Sequence, residues 1–325
     1  MKNVCLVGYG KIGPNHANAL SEIENAKLYA VCDINEDKIK KCQESFDVIG
    51  YTDFDEMLKD ENIHSVHICT PHYLHYEMIV KALAAGKSVV SEKPVTMTKE
   101  EFDKLMKTES AEKVCLVFQN RLNACVVKLK EIIDSGEMGS IVAAKSILTW
   151  NRTREYYEED YWRGRWDTEG GGVLINQAVH SLDLLSYLVS NISFVKANMM
   201  NYSLENTIEV EDTFTAYLGF ENGIKGFFLA TNSFSVNSPM DIDIVFEKGN
   251  VRYMNGKLFV INEVVASDET AKAGKNYWGA GHKKILKNFY DKGIYYNIKD
   301  AENTMNTMFA MYESAKSNGM EIKIC

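Results

Sequence analysis

The run Gly8-Tyr9-Gly10-Lys11-Ile12-Gly13 has the spacing G-x-G-x-x-G, and it can cradle a dinucleotide. It follows the apolar residues 3–7 and leads into a helical stretch, and a second apolar run, 28–32, ends on Asp33. Here the first glycine permits a tight turn, the second lets the backbone approach a pyrophosphate, and the third lets helix and strand pack closely. Lys11 and Ile12 complete the turn, and the helix N-terminus aims free N–H groups at the phosphates. Asp33 can accept both hydrogen bonds of the adenosine ribose, and its charge opposes a 2′-phosphate. The expected cofactor is therefore NAD rather than NADP. A second group, Ser91-Glu92-Lys93-Pro94, ends a later apolar run. An ammonium at that strand end can hold a substrate oxygen and stabilise a developing alkoxide. Most of the chain's lysines must be solvated surface groups, so it is the strand-end position and the flanking Glu92 and Pro94 that single out Lys93. A third group follows three glycines: Asn176, His180 and Asp183, spaced i, i+4, i+7 on one helix face. Free imidazole titrates near neutrality, which makes His180 the natural general base. Asn176 is expected to orient substrate, and Asp183 to orient His180. The competing structural reading is a helix-end histidine bonded to Asp183.

These groups need elements to carry them. Residues up to 118 alternate apolar strands (3–7, 28–32, 48–51, 65–69, 88–91, 114–118) with helical stretches. Thr98-Lys99-Glu100-Glu101 reads as a capping box, and Gly86 as a helix stop. Repeated βα units predict a doubly wound parallel sheet. Beyond 120, a helix over 126–133 gives way to strand-like runs at 141–150, 195–201, 212–220, 224–230, 241–246 and 257–261. Turns at Glu221-Asn222-Gly223 and Asn255-Gly256 join several of them, and helices are expected over 176–188, 283–291 and 300–317. The predicted fold class is α/β: an N-terminal doubly wound parallel sheet over residues 1–120, then an α/β domain over 121–325 with a large, mostly antiparallel open sheet.

At 325 residues two domains are the default. A net charge of −9 argues against nucleic acid or an anionic membrane as partner. No apolar run approaches the ~20 residues of a membrane span, and the start does not read as a signal peptide. The seven cysteines form no C-x-x-C pair and read as reduced, mostly buried thiols of a cytoplasmic protein, with no metal site expected. Of only six arginines, four fall at 152, 154, 163 and 165, among Trp150, Trp162, Trp166, Tyr156, Tyr157 and Tyr161. Guanidinium forks pair with carboxylate or phosphate, and aromatic faces suit a sugar ring or a nicotinamide. Arg152, Arg154 and Arg165, with Gln177, are thus candidate substrate contacts. Equally, the segment reads as an aromatic arm against a neighbouring subunit.

The glycine motif with its strand-end acid, Thr70-Pro71 with His72 and His75, Glu92-Lys93-Pro94, and the helix N-Q-x-x-H-x-x-D resemble the Gfo/Idh/MocA oxidoreductase family over essentially the whole chain. The resemblance implies a Rossmann domain, a nicotinamide cofactor, a sugar or polyol substrate, and a homodimer or homotetramer formed through the C-terminal sheet. It makes Lys93 and His180 the catalytic pair. It adds Thr70, Pro71, His75, Glu92, Gln119, Trp162 and Arg163 to the cofactor contacts. The arginine-rich segment is similar to that of the family's bacterial nucleotide-sugar 3-dehydrogenases, which oxidise a UDP-linked N-acetylglucosaminuronate. Inositol and polyol dehydrogenases of the family often have aspartate where this chain has Asn176, which argues against inositol. The expected function is NAD-dependent hydride transfer from a secondary alcohol of a sugar, sugar acid or nucleotide-sugar. The alternatives are an NAD-assisted glycosidase of the same fold and a non-catalytic NAD(H)-binding regulator.

Overall fold

The computed structural model describes residues 1–238, 240–268, 280–293 and 295–324. Its apolar runs become strands because both faces of the first sheet are covered, so almost every strand residue meets protein. Val4, Cys5 and Leu6, for example, are fully buried. The strands are β1 (Lys2–Val7), β2 (Ala26–Cys32), β3 (Ile49–Tyr51), β4 (Ser65–Ile68), β5 (Ser88–Ser91) and β6 (Val114–Leu116). They are parallel and ordered β3-β2-β1-β4-β5-β6. The order reverses between β1 and β4, and ligands of such sheets bind outside the carboxyl ends at that point. The glycine turn follows β1, Asp33 follows β2, Thr70 and Pro71 follow β4, and Lys93 follows β5. The Thr98/Glu101 capping box forms as expected.

The second sheet contains β7 (Ile141–Thr149), β8 (Ile192–Met200), β9 (Thr213–Phe220), β10 (Lys225–Thr231), β11 (Asp241–Phe246), β12 (Gly249–Met254), β13 (Lys257–Val260), β14 (Glu263–Ser267) and β15 (Ile322–Lys323). Their order is β14-β13-β12-β11-β7-β10-β9-β8-β15. Every pairing is antiparallel except β7 with β10, so the sheet is mixed but mostly antiparallel. Asn255 and Gly256, at φ 55° and 65°, turn β12 into β13 as an Asn-Gly hairpin. Strands β12, β14 and β15 went unread in the sequence. The first is interrupted by Asn250 and Arg252, the second is an exposed edge, and the third is two residues long.

The chain divides into two compact units: Met1–Gln119 with Lys272–Ala301, and Asn120–Ala271 with Glu302–Cys325. The division of 121–325 as one block misses the return of 280–301 to the first unit. There the backbone N–H of Leu116 donates to the carbonyl of Tyr296, extending the edge at β6. Six cysteines, 5, 32, 42, 69, 115 and 125, are buried free thiols, and Cys325 lies outside the described residues.

Candidate active site

In the first unit the glycine turn has the division of labour its spacing implies. Gly8 stands at φ +89°, and a Cβ there would lie 2.8 Å from the Cys69 carbonyl oxygen. A Cβ at Gly13 would lie 2.8 Å from the Gly8 oxygen, whereas one at Gly10 would meet nothing within 4 Å. The Gly10 backbone thus borders open space, as close approach by a phosphate requires. Asp33 accepts from the backbone N–H of Tyr9 at 2.8 Å and of Asn35 at 2.9 Å, which locks the tip of β2 to the glycine turn. Gln119 is 3% exposed, and its Oε1 meets no hydrogen-bond partner among the described residues. A buried acceptor in that state suits a donor from a bound cofactor. These features fit NAD.

Lys93 is partly exposed on the loop after β5 and precedes a cis bond to Pro94. The buried His75 sits behind that loop, with Nδ1 2.7 Å from the Pro94 oxygen and Nε2 2.9 Å from the Thr70 oxygen. Burial lowers its pKa. The imidazole lies between the Thr70-Pro71 and Lys93-Pro94 loops, and in its neutral form its single N–H donates to one of the two carbonyls. Glu92 also turns inward: its Oε1 lies 3.0 Å from His16 Nε2 and 3.3 Å from His282 Nε2. Beyond it, His16 Nδ1 is 3.0 Å from His67 Nδ1, and His67 Nε2 is 2.8 Å from the Tyr290 hydroxyl. Burial opposes the charge on Glu92, but the two imidazoles outweigh it and hold the carboxyl well below the usual carboxylate range. Burial, reinforced by His16, holds His67 well below its ordinary value. His16, Glu92 and His282 bring ligand atoms within 4.8 Å of one another and could hold a metal ion. The His16–Glu92 contact is of ordinary hydrogen-bond length, whereas His282 Nε2 meets the carboxylate at a longer ion-pair distance.

In the second unit, Leu174–Ala178 form a π-turn that passes into the α-helix Val179–Leu188. Such wide turns shift the register of a helix and recur at functional sites. Asn176 and His180 are partly exposed, but Asp183 is 1% exposed. Arg121 donates to it through Nε at 2.8 Å and Nη2 at 2.5 Å, and Thr304 through its hydroxyl at 3.0 Å. The expected three-residue stripe is therefore a two-residue one. Asp183 faces the core and neutralises a buried arginine, so the reading of Asp183 as the partner that orients His180 is corrected. The glycines before the helix approach other groups closely: a Cβ at Gly172 would lie 1.8 Å from the Glu211 backbone oxygen. Glu211 accepts from Gly172 N at 2.9 Å, Leu174 N at 3.1 Å and the Tyr312 hydroxyl at 2.9 Å. Glu169, just before the glycines, accepts from Gly164 N and from Asn176 Nδ2, each at 2.5 Å. Burial pushes both carboxyls up to about 7. Sequence reasoning missed Glu169, Glu211 and Arg121. The one local signal was an acid placed directly before three glycines.

The arginine-rich segment is already largely paired. Arg154 binds Glu158 at 2.5 Å, Arg163 binds Asp160 at 2.9 Å, and Arg165 lies 3.5 Å from Glu209. Arg152 alone of the six arginines has no carboxylate partner among the described residues. It stacks 4.5 Å over Trp150 and 5.0 Å over Tyr156, donates to Asn151 O and Asn237 Oδ1 at 2.7 Å, and leaves a buried Nε without a partner. Arg163 stacks on the same Tyr156 ring at 4.4 Å and on Trp162 at 4.9 Å. Gln177 lies 3.3 Å from the Tyr156 hydroxyl and accepts from Asn232 at 3.1 Å, linking the helix to this segment. Tyr157 packs with Leu204, Ile208 and Val210, and Trp166 against that cluster, so part of the aromatic content serves the unit's own core.

Residues 2–120 match a family described as an oxidoreductase family with an NAD-binding Rossmann fold, and residues 126–252 match the GFO/IDH/MocA C-terminal domain. The chain is 25% identical over 279 residues to myo-inositol 2-dehydrogenase of Thermotoga maritima, covering 84% of this chain and 80% of that one. It is 24% identical over 315 residues to levoglucosan dehydrogenase of Pseudarthrobacter phenanthrenivorans, covering 86% and 81%. The WlbA dehydrogenase of Bordetella pertussis, solved with NADH and UDP-GlcNAcA, is similar at a TM-score of 0.87 and 28% identity, covering 100% of this chain and 98% of that one.

Proposed function

The chain belongs to the Gfo/Idh/MocA oxidoreductase family, and on that premise we propose that it is an NAD-dependent dehydrogenase of a secondary alcohol on an acidic sugar or nucleotide-sugar. The observation that carries the acidic substrate is Arg152, a guanidinium lying over two aromatic rings with no carboxylate partner among the described residues. The WlbA likeness supports the same substrate class. Bound NAD supplies the hydride acceptor. Lys93 holds the substrate oxygen and stabilises it as the carbon–oxygen double bond forms. His180 accepts the hydroxyl proton as the carbon–hydrogen bond gives up its electron pair. Asn176 hydrogen-bonds a substrate hydroxyl. In this reading residues 1–120 bind cofactor and 121–325 bind substrate. The second sheet, with Phe227 61% and Val142 55% exposed, forms a homo-oligomer surface. No described helix is long and apolar enough to cross a membrane, and the buried free thiols suit a cytoplasmic enzyme.

The test is NADH formation from NAD with UDP-GlcNAcA, uncharged UDP-sugars, free sugar acids and myo-inositol. NADH should accumulate with the acidic sugars. Lys93→Ala and His180→Ala should each lower turnover by about 10²–10⁴ while leaving NAD affinity nearly unchanged. Near wild-type turnover in both variants would refute the catalytic pair. Glycoside cleavage without NADH would move the function to an NAD-assisted glycosidase.

A further inference from the structure

Three glycines before a helix resemble an anion-binding loop, because the first N–H groups of a helix have no partner within it. Here the anion belongs to the chain itself. Glu211 Oε2 accepts from Gly172 N at 2.9 Å, its Oε1 accepts from Leu174 N at 3.1 Å, and its backbone oxygen accepts from Val173 N at 3.1 Å. One distant residue thus holds three successive N–H groups. The Tyr312 hydroxyl donates to the same Oε1 at 2.9 Å. Tyr312 leaves no room for a Cβ at Gly171, and the Glu211 backbone leaves none at Gly172. Those two glycines therefore admit Tyr312 and Glu211. Glu211 itself has a fixed base. It is buried, and its neighbour Asp212 donates its backbone N–H to Met200 O at 3.1 Å and accepts from Asn232 N at 2.7 Å. These contacts place it where β8, β9 and β10 end together. On the helix side, Gly172 O accepts from Asn176 N at 3.2 Å. A continuous line of hydrogen bonds runs from the sheet through Glu211 and Gly172 to the backbone of Asn176, and His180 lies four residues further on.

We propose that Glu211 is a positioning residue, a built-in anion that bolts the glycine turn to the second sheet and so sets where the helix presents Asn176 and His180 to substrate. This rests on the reading that those two residues act on substrate. The arrangement also has a consequence for specificity. The N–H groups of Gly172, Val173 and Leu174 are occupied by Glu211, so the glycine turn does not read the charge of the substrate, and that task stays with Arg152.

The test is steady-state kinetics on Glu211→Ala, Glu211→Gln and Tyr312→Phe, with rates expressed per folded molecule and NAD affinity titrated separately. The substrate is UDP-GlcNAcA, or the panel sugar that the wild type oxidises, beside its uncharged analogue. Misplacing a reacting group by about 1 Å costs on the order of 10² in rate. Glu211→Ala should therefore lower kcat by about 10², change KM less, and leave NAD affinity nearly unchanged. Glu211→Gln keeps one accepting oxygen and should recover most of that loss. Tyr312→Phe removes one donor to Oε1 and should lower kcat a few-fold, which keeps the test open if Glu211→Ala does not fold. The loss should be equal for the charged sugar and its uncharged analogue. If Glu211→Ala, or the other two variants where it does not fold, matches the wild-type kcat per folded molecule, Glu211 only stabilises the fold and the proposal is overturned. A loss confined to the charged sugar overturns it as well, because the turn would then meet the substrate's charge. If His180→Ala keeps wild-type turnover, the proposed function fails and this proposal fails with it. If His180→Ala loses turnover while the Glu211 variants keep it, only the role of Glu211 falls.

Discussion

At the scale of single residues, Asp33 and Arg152 each bring a charge whose value depends on what arrives. Asp33 already accepts from two backbone N–H groups, but each carboxylate oxygen has two lone-pair sites, leaving capacity for ribose hydroxyls. Hydrogen bonds to a charged group contribute roughly 1.5–3 kcal/mol, so Asp33→Ala should weaken NAD by about ten- to a hundredfold. Loosening of the glycine turn would weaken both cofactors alike, whereas loss of the charge should narrow the gap between NAD and NADP. Titration of both cofactors into wild type and variant measures the ratio, and a wild type that prefers NADP would overturn the assignment. Arg152→Ala should raise KM for a charged sugar by about ten- to a hundredfold and leave its neutral analogue nearly unaffected. Unchanged KM together with a smaller particle mass would instead favour the arm as a subunit contact.

At the scale of elements, the helix after the three glycines separates what its spacing had joined. Asn176 and His180 stay on the accessible side of the π-turn and helix, while Asp183 is bound inward by Arg121 and Thr304. Removing one partner of a buried ion pair leaves the other charge unmatched and costs about 3–5 kcal/mol. Asp183→Ala should therefore lower the unfolding midpoint sharply and leave the turnover of the folded fraction within a few-fold of wild type. Denaturant unfolding and active-site-normalised rates check this, and a large loss of turnover with unchanged stability would return Asp183 to the catalytic group. The i, i+4, i+7 spacing was legible, but which of its members meets solvent was not. Arg121 and Thr304 lie 62 and 121 residues from Asp183, beyond the reach of local periodicity.

At the scale of the whole molecule, the two units carry buried titratable groups that respond to acid in opposite senses. In the first, His67 is held neutral well below 6.5, so its contribution is full above 6.5 and is lost as pH falls below it, while the unfolded chain takes up the proton. In the second, Glu169 and Glu211 rise from 4.5 to about 7. Their contribution is full below 4.5 and is lost as pH rises to about 7, because the unfolded chain releases its protons first. Between about pH 5 and about pH 7, raising the pH should thus stabilise the first unit and destabilise the second. Hydrogen exchange followed by mass spectrometry reports each unit separately. Glu169→Gln should flatten the slope of the second unit alone, and parallel slopes in both units would contradict the assignment.

The sequence by itself placed the residues proposed to hold the cofactor at the carboxyl ends of parallel strands. The glycine turn, Asp33, Thr70-Pro71 and Lys93 are local patterns at strand ends, and a parallel sheet with short connections leaves their placement little freedom. It also located Asn176 and His180 and the hairpin at Asn255-Gly256, where turn chemistry is written in adjacent residues. Tertiary structure decided what depends on distant partners. It turned Glu92 inward to His16 and His282, and paired Asp183 with Arg121. It returned residues 280–301 to the first unit, matched three of the four clustered arginines with carboxylates, and put Glu169 behind Asn176. Burial sets the cost of each unpaired charge, and burial is a property of the packed chain, so the residues that neutralise one another are fixed only when the elements meet.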